Sequence, residues 1–250
     1  MKIWKVAVIG ARGRMGSEAV RAINLAEDMD LVAALGRGDS LQELVEAGAE
    51  VVVDLSVPEA SYSNVSFAIE AGMHAVVGTT GWQEDQLAQL QEALSQHPGV
   101  GVLIAPNFAL GSLLASRFAA QAAKFFESVE IIELHHPNKL DAPSGTASYT
   151  AQKIAQARAQ AGVAASPDAT MSDPDGARGA KIEGINVHAV RLRGLTAHQE
   201  VLLGDAGQQL TIRHDSFDRT SFMPGLLMGV RKVADHPGLT VGLENYLDLD

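Results

Sequence analysis

The residues Val6-Ala7-Val8-Ile9-Gly10-Ala11-Arg12-Gly13-Arg14-Met15-Gly16 form the pattern of a buried strand, a glycine-rich turn and the start of a helix. This order is typical of the first βαβ unit of a dinucleotide-binding domain, where pyrophosphate lies against the helix N-terminus. Gly10 would permit the tight turn, Gly13 the approach of backbone to phosphate, and Gly16 the packing of helix on strand. The spacing is G-x-x-G-x-x-G rather than G-x-G-x-x-G, so a glycine-rich turn of another α/β protein remains an alternative. A P-loop is excluded because no Gly-Lys-Ser/Thr closes the motif. The predicted contacts to the dinucleotide in this turn are Gly10, Ala11, Arg12, Gly13, Arg14 and Met15.

Outward from this turn, the first hundred residues alternate short apolar runs with amphipathic stretches. The predicted strands are Val6–Ile9, Leu31–Leu35, Val51–Leu55, Ala75–Val77 and Val102–Ile104. The predicted helices lie near 14–27, 40–47, 58–71 and 83–96. Apolar strands separated by helices indicate a parallel sheet covered on both faces. We therefore predict an α/β protein with a Rossmann-like, doubly wound parallel sheet.

The order of predicted helices and strands changes after the first hundred residues. Helices are expected near 111–126 and 145–162, with a strand at 129–134 between them. From residue 185, three consecutive strand patterns with glycine-containing turns are closer to antiparallel strands than to βαβ units. These features predict a second, α+β domain on an open mixed sheet. This second domain is predicted to begin near residue 107.

Composition narrows the class of protein. The chain has 250 residues, 46% of them hydrophobic, and a formal net charge of −11. This charge argues against a general binder of nucleic acid or anionic membranes, because phosphate binding needs clustered basic surface. No cysteine is present, which excludes disulfides and thiol catalysis. The sequence shows neither a signal-peptide pattern nor an apolar run of membrane-spanning length, so a cytoplasmic protein is expected.

The end of the second predicted strand bears on cofactor choice. An acidic residue for the adenosine ribose is usual at this point. Here the sequence is Leu35-Gly36-Arg37-Gly38-Asp39, without a carboxylate directly after the strand. Arg37 is placed to meet a 2′-phosphate, which favours NADPH, with NADH also used. In the alternative, Arg37 is a solvated surface residue and Asp39 reaches back to the ribose.

Two further turns follow strands at the same edge of the predicted sheet, where ligands bind in such folds. Each is unremarkable alone, and their recurrence at one edge is the argument for cofactor contacts. The residues predicted to contact the cofactor here are Gly78, Thr79, Thr80, Ala105, Pro106, Asn107 and Phe108.

The densest concentration of polar chemistry is Glu133-Leu134-His135-His136-Pro137-Asn138-Lys139-Leu140-Asp141-Ala142-Pro143-Ser144-Gly145-Thr146-Ala147. A strand brings both histidines to a proline-broken loop, and Gly145-Thr146 opens a helix whose free N–H groups would bind a carboxylate. The loop thus combines a titratable acid, a cation and an anion cradle. This combination is suited to protonating a small acidic substrate.

The same side chains have structural roles as their alternative. Adjacent histidines at a strand end point to opposite faces, so a shared metal is not expected. One of the two, with His136 the stronger candidate, has a purely structural role as its alternative. The other histidines are expected in surface or core positions. Surface solvation is expected for four further basic residues, with a place in the lining of the anionic site as the alternative: Lys124, Arg191, Arg193 and Arg213.

With these motifs in place, the chain resembles the 4-hydroxy-tetrahydrodipicolinate reductase (dihydrodipicolinate reductase) family over nearly its whole length. The Gly10–Gly16 turn, Val77–Gly81, Ala105–Phe108 and, above all, Glu133–Ala147 are the segments that resemble it. The resemblance implies a homotetrameric reductase of diaminopimelate and lysine biosynthesis that takes hydride from NADPH or NADH. It also implies two domains, a dinucleotide-binding domain of residues 1–106 plus 216–250 and a substrate-binding and tetramerisation domain of residues 107–215. Its substrate would be a cyclic, conjugated imine dicarboxylate formed by loss of water from the 4-hydroxy compound.

Roles implied by the resemblance can be assigned residue by residue. His135 matches the general acid and Lys139 the second catalytic group, which also binds substrate. His136, Ser144, Gly145 and Thr146 match substrate ligands. Independently of the resemblance, His135 is expected near its ordinary pKa of about 6.5, at which an imidazole can be protonated in the resting site and act at neutral pH. No metal is implied.

Two alternatives stay open. One is a nicotinamide oxidoreductase acting on another imine or on a semialdehyde, although a thioester mechanism is excluded without cysteine. The other is a non-catalytic regulator that senses redox state through its dinucleotide-binding domain. The His-Lys loop argues against the regulator.

Overall fold

The computed structural model describes residues 2–247 and divides the chain into two compact units. Within the described residues, one unit comprises 2–109 with 219–247, and the other comprises Leu110–Asp218. Both the α/β class and the combination of a parallel sheet with a mixed sheet were predicted correctly.

The first unit contains a six-stranded sheet in which every pairing is parallel, in the order β11-β5-β4-β3-β1-β2. Its strands are β1 (Trp4–Ile9), β2 (Met29–Leu35), β3 (Val51–Asp54), β4 (His74–Val77), β5 (Gly101–Ile104) and β11 (Gly238–Val241). Its helices are α1 (Arg14–Leu25), α2 (Gln42–Glu46), α3 (Pro58–Glu70), α4 (Glu84–Gln96) and α7 (Met223–Lys232). Short 3₁₀ turns at Arg219–Phe222, Val233–Asp235 and Leu243–Tyr246 flank the last helix and strand.

Hydrophobic burial on both faces explains why these strands form a parallel sheet. All four residues of β3 and of β5 are buried, as are the last four of β1. Such continuous apolar strands need helices on both sides. The large residues of the core include Ile69, Leu90 and Ile104.

Strand register brings the ends of five strands to one edge of this sheet. Ile9 pairs with Leu35 on one side and with Asp54 on the other. Asp54 pairs in turn with Val77, and Val77 with Ile104. The turns that follow these residues therefore lie side by side at the carboxyl edge, where parallel α/β sheets bind ligands.

The second unit contains a five-stranded mixed sheet in the order β10-β9-β6-β8-β7. Its strands are β6 (Ser128–His135), β7 (Ala180–Ile182), β8 (Ile185–Arg191), β9 (Ala197–Asp205) and β10 (Gln208–Ser216). Helices α5 (Leu110–Ala122) and α6 (Gly145–Gln160) form a core with it that includes Val129, Ile131 and Ile154.

The structure differs from the sequence prediction in two places. β8 pairs parallel to β6 while the other pairings are antiparallel, because α6 provides the crossover that a parallel pair requires. The short strand β7 was not predicted. Among residues 2–247, no helix has the length and apolar character needed to cross a membrane.

Candidate active site

The glycine-rich turn lies at the carboxyl end of β1. Gly10 has a φ of 81°, and a Cβ added there would lie 2.5 Å from the Leu55 carbonyl oxygen. A Cβ on Gly16 would lie 2.0 Å from the Gly10 oxygen, whereas one on Gly13 would lie 3.1 Å from it. Only glycine fits at Gly10 and Gly16. Gly13 caps α1 without a side-chain hydrogen bond, so the helix N-terminus presents backbone N–H groups suited to a phosphate.

A buried carboxylate that the sequence reading did not single out fixes the loop against which Gly10 packs. Asp54, fully buried at the end of β3, accepts hydrogen bonds from the Ser61 hydroxyl, the Ser56 N–H (3.1 Å) and Asn64 Nδ2 (3.3 Å). These bonds tie the loop to the first turns of α3. They hold the backbone beside the predicted phosphate turn in one position.

The turn after β2 brings a carboxylate back to the strand end. Asp39 Oδ2 accepts the Gly36 N–H at 2.8 Å and pairs with Arg12 Nη2 at 3.1 Å. Arg37, predicted to meet a 2′-phosphate, is exposed to solvent. The Asp39 carboxylate thus lies at the end of β2, where the alternative interpretation places it.

The two remaining turns at this edge pack against one another. A Cβ on Gly78 would lie 2.6 Å from Leu55 Cδ2 and 2.8 Å from Phe108 Cε2, so Gly78 is needed for close packing. Thr79 is only 5% exposed, and its buried hydroxyl has no hydrogen-bond partner. A buried polar atom of this kind needs a partner, and a bound ligand at the predicted nicotinamide end would supply one.

The loop of the second unit is organised by Glu133, a fully buried residue near the end of β6. Glu133 Oε2 lies 2.6 Å from His135 Nδ1, and Glu133 Oε1 accepts the Ser144 N–H at 3.0 Å. Arg191 on β8 donates to both oxygens, at 2.7 and 2.8 Å. One carboxylate thus joins the strand end, the loop and the next strand.

The charges of this cluster follow from its contacts. Burial alone raises the pKa of Glu133, but hydrogen bonds from Arg191 and His135 outweigh burial and keep the pKa below the ordinary 4.5. The ionised Glu133 accepts from His135 Nδ1, which fixes the imidazole and leaves Nε2 for another partner. Burial lowers the pKa of His135 below 6.5, and Glu133 offsets only part of this effect. The expectation of an ordinary His135 pKa is therefore corrected: burial favours the neutral imidazole.

A helix N-terminus and an ammonium group converge in the same loop. α6 begins at Gly145, and the Ser144 hydroxyl caps it by accepting the Ala147 N–H at 3.1 Å. Lys139 Nζ lies 2.7 Å from Asp141 Oδ1, and Gly145 N–H donates to Asp141 Oδ2 at 3.3 Å. The two groups predicted to bind a substrate carboxylate are thus bridged by a carboxylate of the chain itself.

The two adjacent histidines differ in their surroundings. His135 is held by Glu133, whereas His136 Nδ1 is buried and has no hydrogen-bond partner. Thr146 follows Gly145 in the first turn of α6, and its carbonyl oxygen accepts from the Thr150 hydroxyl. The unpartnered nitrogen is consistent with His136 as a ligand contact.

Arg191 is the residue of this site whose role the sequence reading missed. It was expected to be solvated, yet it holds Glu133 by two bonds and donates to the Asp141 carbonyl oxygen at 2.7 Å. Glu133 was quoted in the motif but given no role. The available signal was a carboxylate in the alternation Val129, Ile131, Glu133, because a buried strand position needs a cationic partner.

Other titratable clusters have structural explanations. His74 Nδ1 accepts the Gly101 N–H at 3.0 Å, His188 pairs with Glu130 at 2.6 Å, and His198 pairs with Asp215 at 2.7 Å. Within residues 2–247, no group of three or more His, Asp or Glu side chains is arranged to hold a metal ion.

Comparison with known proteins covers both units. The family model described as "Dihydrodipicolinate reductase, N-terminus" matches residues 4–108, and "Dihydrodipicolinate reductase, C-terminus" matches 111–247. The 4-hydroxy-tetrahydrodipicolinate reductase of Streptomyces griseus is 61% identical over 246 residues, 98% of each chain. The enzyme of the same name from Corynebacterium efficiens is 59% identical over 245 residues, 98% of this chain and 99% of the relative. Among solved structures, the dipicolinate-bound dihydrodipicolinate reductase from Paenisporosarcina sp. TG-14 superposes with a TM-score of 0.87 at 40% identity, covering 99% of this chain and 100% of that chain.

Proposed function

Because this chain belongs to the dihydrodipicolinate reductase family, we propose that it reduces 4-hydroxy-tetrahydrodipicolinate, through dihydrodipicolinate, to tetrahydrodipicolinate with NADPH or NADH. This reaction belongs to diaminopimelate and lysine biosynthesis. The observation that carries the proposal is the Glu133-anchored His135 in a loop with Lys139 and the N-terminus of α6.

The first unit supplies a site whose residues fit a dinucleotide. The Gly10 and Gly16 close approaches and the free start of α1 suit the pyrophosphate. The buried, unpartnered Thr79 hydroxyl suits the nicotinamide end. A bound reduced nicotinamide supplies the hydride at its C4 position.

Substrate binding falls to the loop of the second unit. Lys139 and the N–H groups of Gly145 and Thr146 bind one carboxylate, and the unpartnered His136 Nδ1 provides a further polar contact. Ser144 caps α6 and thereby holds these N–H groups in place. The dipicolinate named in the related solved structure is a planar dicarboxylate of the expected class.

Proton transfer completes the reaction. Addition of hydride to the conjugated imine leaves an electron-rich enamine, which becomes product only when carbon is protonated. His135, held through Nδ1 by Glu133, presents Nε2 for this step. The negative charges of a bound dicarboxylate raise the pKa of His135, opposing the effect of burial, so the imidazole gains its proton when substrate is present.

The decisive experiment follows the oxidation of NADPH and NADH at 340 nm with freshly generated 4-hydroxy-tetrahydrodipicolinate. We expect rapid oxidation by the wild type and a loss of about 10²–10³ in turnover for His135→Gln and Lys139→Ala. Lys153→Ala, an exposed position on α6, is the matched control and should leave the rate unchanged. Absence of oxidation by a folded, cofactor-binding wild type would refute the proposal and favour the regulator.

We further propose a cytoplasmic homotetramer that assembles through the uncovered face of the second sheet. On β6, Val129 and Ile131 are buried in the core with α5 and α6, whereas Ile132 and Leu134, at alternate positions, are only half-buried. Light scattering after size exclusion should give four times the chain mass. Leu202→Lys, on the neighbouring strand β9, should yield a smaller species that still binds NADPH. A monomeric wild type would contradict the tetramer.

A further inference from the structure

The turn after β2 places a carboxylate where the sequence lacks one. Gly36 directly follows the strand, at the position where an acidic residue usually meets the adenosine ribose. Gly38, with a φ of 89°, lets the chain turn back. The Asp39 carboxylate then accepts the Gly36 N–H at 2.8 Å, and the Asp39 N–H donates to the Gly36 carbonyl oxygen at 3.4 Å. The carboxylate therefore returns to the strand end from three residues further along.

Arg12 of the glycine-rich turn lies over the same strand end. A Cβ added to Gly36 would lie 3.0 Å from Arg12 Cδ and 3.1 Å from Arg12 Cζ. Glycine at position 36 thus makes room for the guanidinium, whose Nη2 pairs with Asp39 Oδ2 at 3.1 Å. The ends of β1 and β2 are also joined directly, because the N–H groups of Gly10 and Ala11 both donate to the Leu35 carbonyl oxygen at 2.9 Å. A cation and a carboxylate are consequently fixed side by side beside the phosphate turn.

We propose that Asp39 and Arg12, and not Arg37, determine which nicotinamide dinucleotide binds. Asp39 accepts hydrogen bonds from the unmodified adenosine ribose of NADH and repels a 2′-phosphate. Arg12 pairs with the 2′-phosphate of NADPH. The opposed preferences of the pair let this site accept both cofactors. This inference rests on the proposed function, since it assumes that the first unit binds a nicotinamide dinucleotide.

Direct binding measurements test the inference without turnover. Dissociation constants for NADPH and NADH are measured by isothermal titration calorimetry on the full-length protein. In Asp39→Asn, which keeps an acceptor for the Gly36 N–H, NADH should bind about tenfold more weakly and NADPH no more weakly, as expected for one hydrogen bond to a charged group. Arg12→Ala should raise the dissociation constant for NADPH by a factor about tenfold larger than the factor for NADH. Gly36→Asp should displace Arg12 and shift the preference strongly towards NADH.

Two control variants complete the design. Arg37→Ala should leave both dissociation constants within about twofold of the wild type, because Arg12, and not this exposed side chain, is paired with Asp39 at the strand end. Asp30→Asn makes the same charge change as Asp39→Asn at an exposed position near the opposite end of β2, and should also have no effect. An unchanged NADPH:NADH ratio in Asp39→Asn, or a selective loss of NADPH affinity in Arg37→Ala, would overturn the inference. A folded wild type that binds neither nucleotide would refute the inference and the proposed function together, whereas binding of both without turnover would count against the proposed reaction alone.

Discussion

Glu133 is the residue on which the order of the second unit's polar loop depends. A fully buried carboxylate is costly unless cations and hydrogen-bond donors satisfy it. Arg191, His135 and the Ser144 N–H together satisfy both of its oxygens. The same bonds orient the imidazole and hold the start of α6. At the residue scale, stability and chemistry therefore share one side chain.

The lowered pKa of His135 leads to a prediction for the pH dependence of the reaction. Burial favours the neutral imidazole in the free enzyme, so His135 loses its proton at a pH below the ordinary histidine pKa of 6.5. As the pH is raised, kcat/KM should therefore already begin to fall before pH 6.5 is reached. In the substrate complex, the dicarboxylate favours imidazolium, so the corresponding fall in kcat should lie at higher pH. Rate profiles from pH 5 to 9 measure both limbs. His135→Gln should lack this descending limb, and an unchanged profile in that variant would contradict the role of His135 as the acid.

Substitution of Asp141 should strengthen ligand binding, whereas substitutions in a binding site usually weaken it. Its hydrogen bond with Lys139 lowers the pKa of the carboxyl, which therefore stays ionised at neutral pH and bridges Lys139 to the Gly145 N–H. A substrate carboxylate must compete for these groups. Asp141→Asn should bind dipicolinate several-fold more tightly in a calorimetric titration, since a neutral amide competes less well. Weaker binding would indicate instead that Asp141 positions Lys139 for the ligand.

Helix α6 has a different task at each end. Its N-terminus presents Gly145 and Thr146 to the polar loop, while Arg158 near its C-terminus is only 4% exposed. The Arg158 guanidinium donates to four carbonyl oxygens, those of Ala123, Phe126, Glu127 and Ala164. These four hydrogen bonds join the helix to the segments before β6 and after α6. The element is thereby fixed at the end far from the chemistry.

Removal of the Arg158 hydrogen bonds should therefore destabilise the protein. Arg158→Ala leaves buried carbonyl groups without a donor, which should cost about 3 kcal/mol in the free energy of unfolding. Urea denaturation followed by circular dichroism measures the effect. Lys153→Ala on the same helix, at an exposed position, should change the free energy of unfolding by less than about 0.5 kcal/mol. Equal effects of the two substitutions would show that the Arg158 contacts contribute little.

The glycine-rich turn gives an element-scale prediction that separates fold from binding. Gly16→Ala places a Cβ 2.0 Å from the Gly10 oxygen, so this variant should lose both thermal stability and dinucleotide affinity. Gly13→Ala meets the same oxygen at 3.1 Å, so the backbone should accommodate it with a small change in Tm. If phosphate approaches the backbone at Gly13, this variant should nevertheless weaken NADPH binding. Differential scanning fluorimetry with and without NADPH measures both effects, and a Gly13→Ala protein with wild-type affinity would place the phosphate elsewhere.

At the scale of the whole molecule, partly buried titratable groups make the stability of this acidic protein, with its net charge of −11, depend on pH. Burial lowers the pKa values of His74, His135 and His214. The unfolded chain therefore binds more protons at these histidines, and stability falls as pH drops below 6.5. Ion pairs and hydrogen bonds lower the pKa values of several carboxyls, among them Asp28, Glu50, Asp141 and Asp215. Their contribution is present above the ordinary carboxyl pKa and is lost as pH falls through the lowered folded values.

We accordingly expect Tm to decrease in two phases on acidification, first below pH 6.5 from the histidines and then below about pH 4.5 from the carboxyls. Differential scanning calorimetry from pH 8 to 3.5 measures both phases. His74→Gln keeps an acceptor for the Gly101 N–H but does not titrate, so its first phase should be smaller. His97→Gln, at a half-buried position beside Glu70, is the matched control. A Tm that rises between pH 7 and 5.5 would contradict the assigned direction of the shifts.

Local sequence patterns were sufficient for the α/β class and for the glycine turn at the end of β1. Apolar alternation and glycine spacing act over a few residues, and burial of β1, β3 and β5 on both faces follows from the run of valines and isoleucines that they contain. The polar loop could be recognised because its residues are adjacent in sequence. The individual site roles remain predictions that the experiments above address.

Only the tertiary structure determined which side chains meet. Arg191 lies 58 positions from Glu133 and reaches it because β8 pairs parallel to β6. Asp39 returns to Gly36 because Gly38 adopts a positive φ, and Arg12 joins them because position 36 has no side chain. Strand order and backbone turns set these contacts, and they result from packing of the whole core rather than from the preferences of neighbouring residues. Sequence thus determined which groups are available, and the fold determined which charges are buried together, because the cost of burying a charge depends on the partners that distant segments supply.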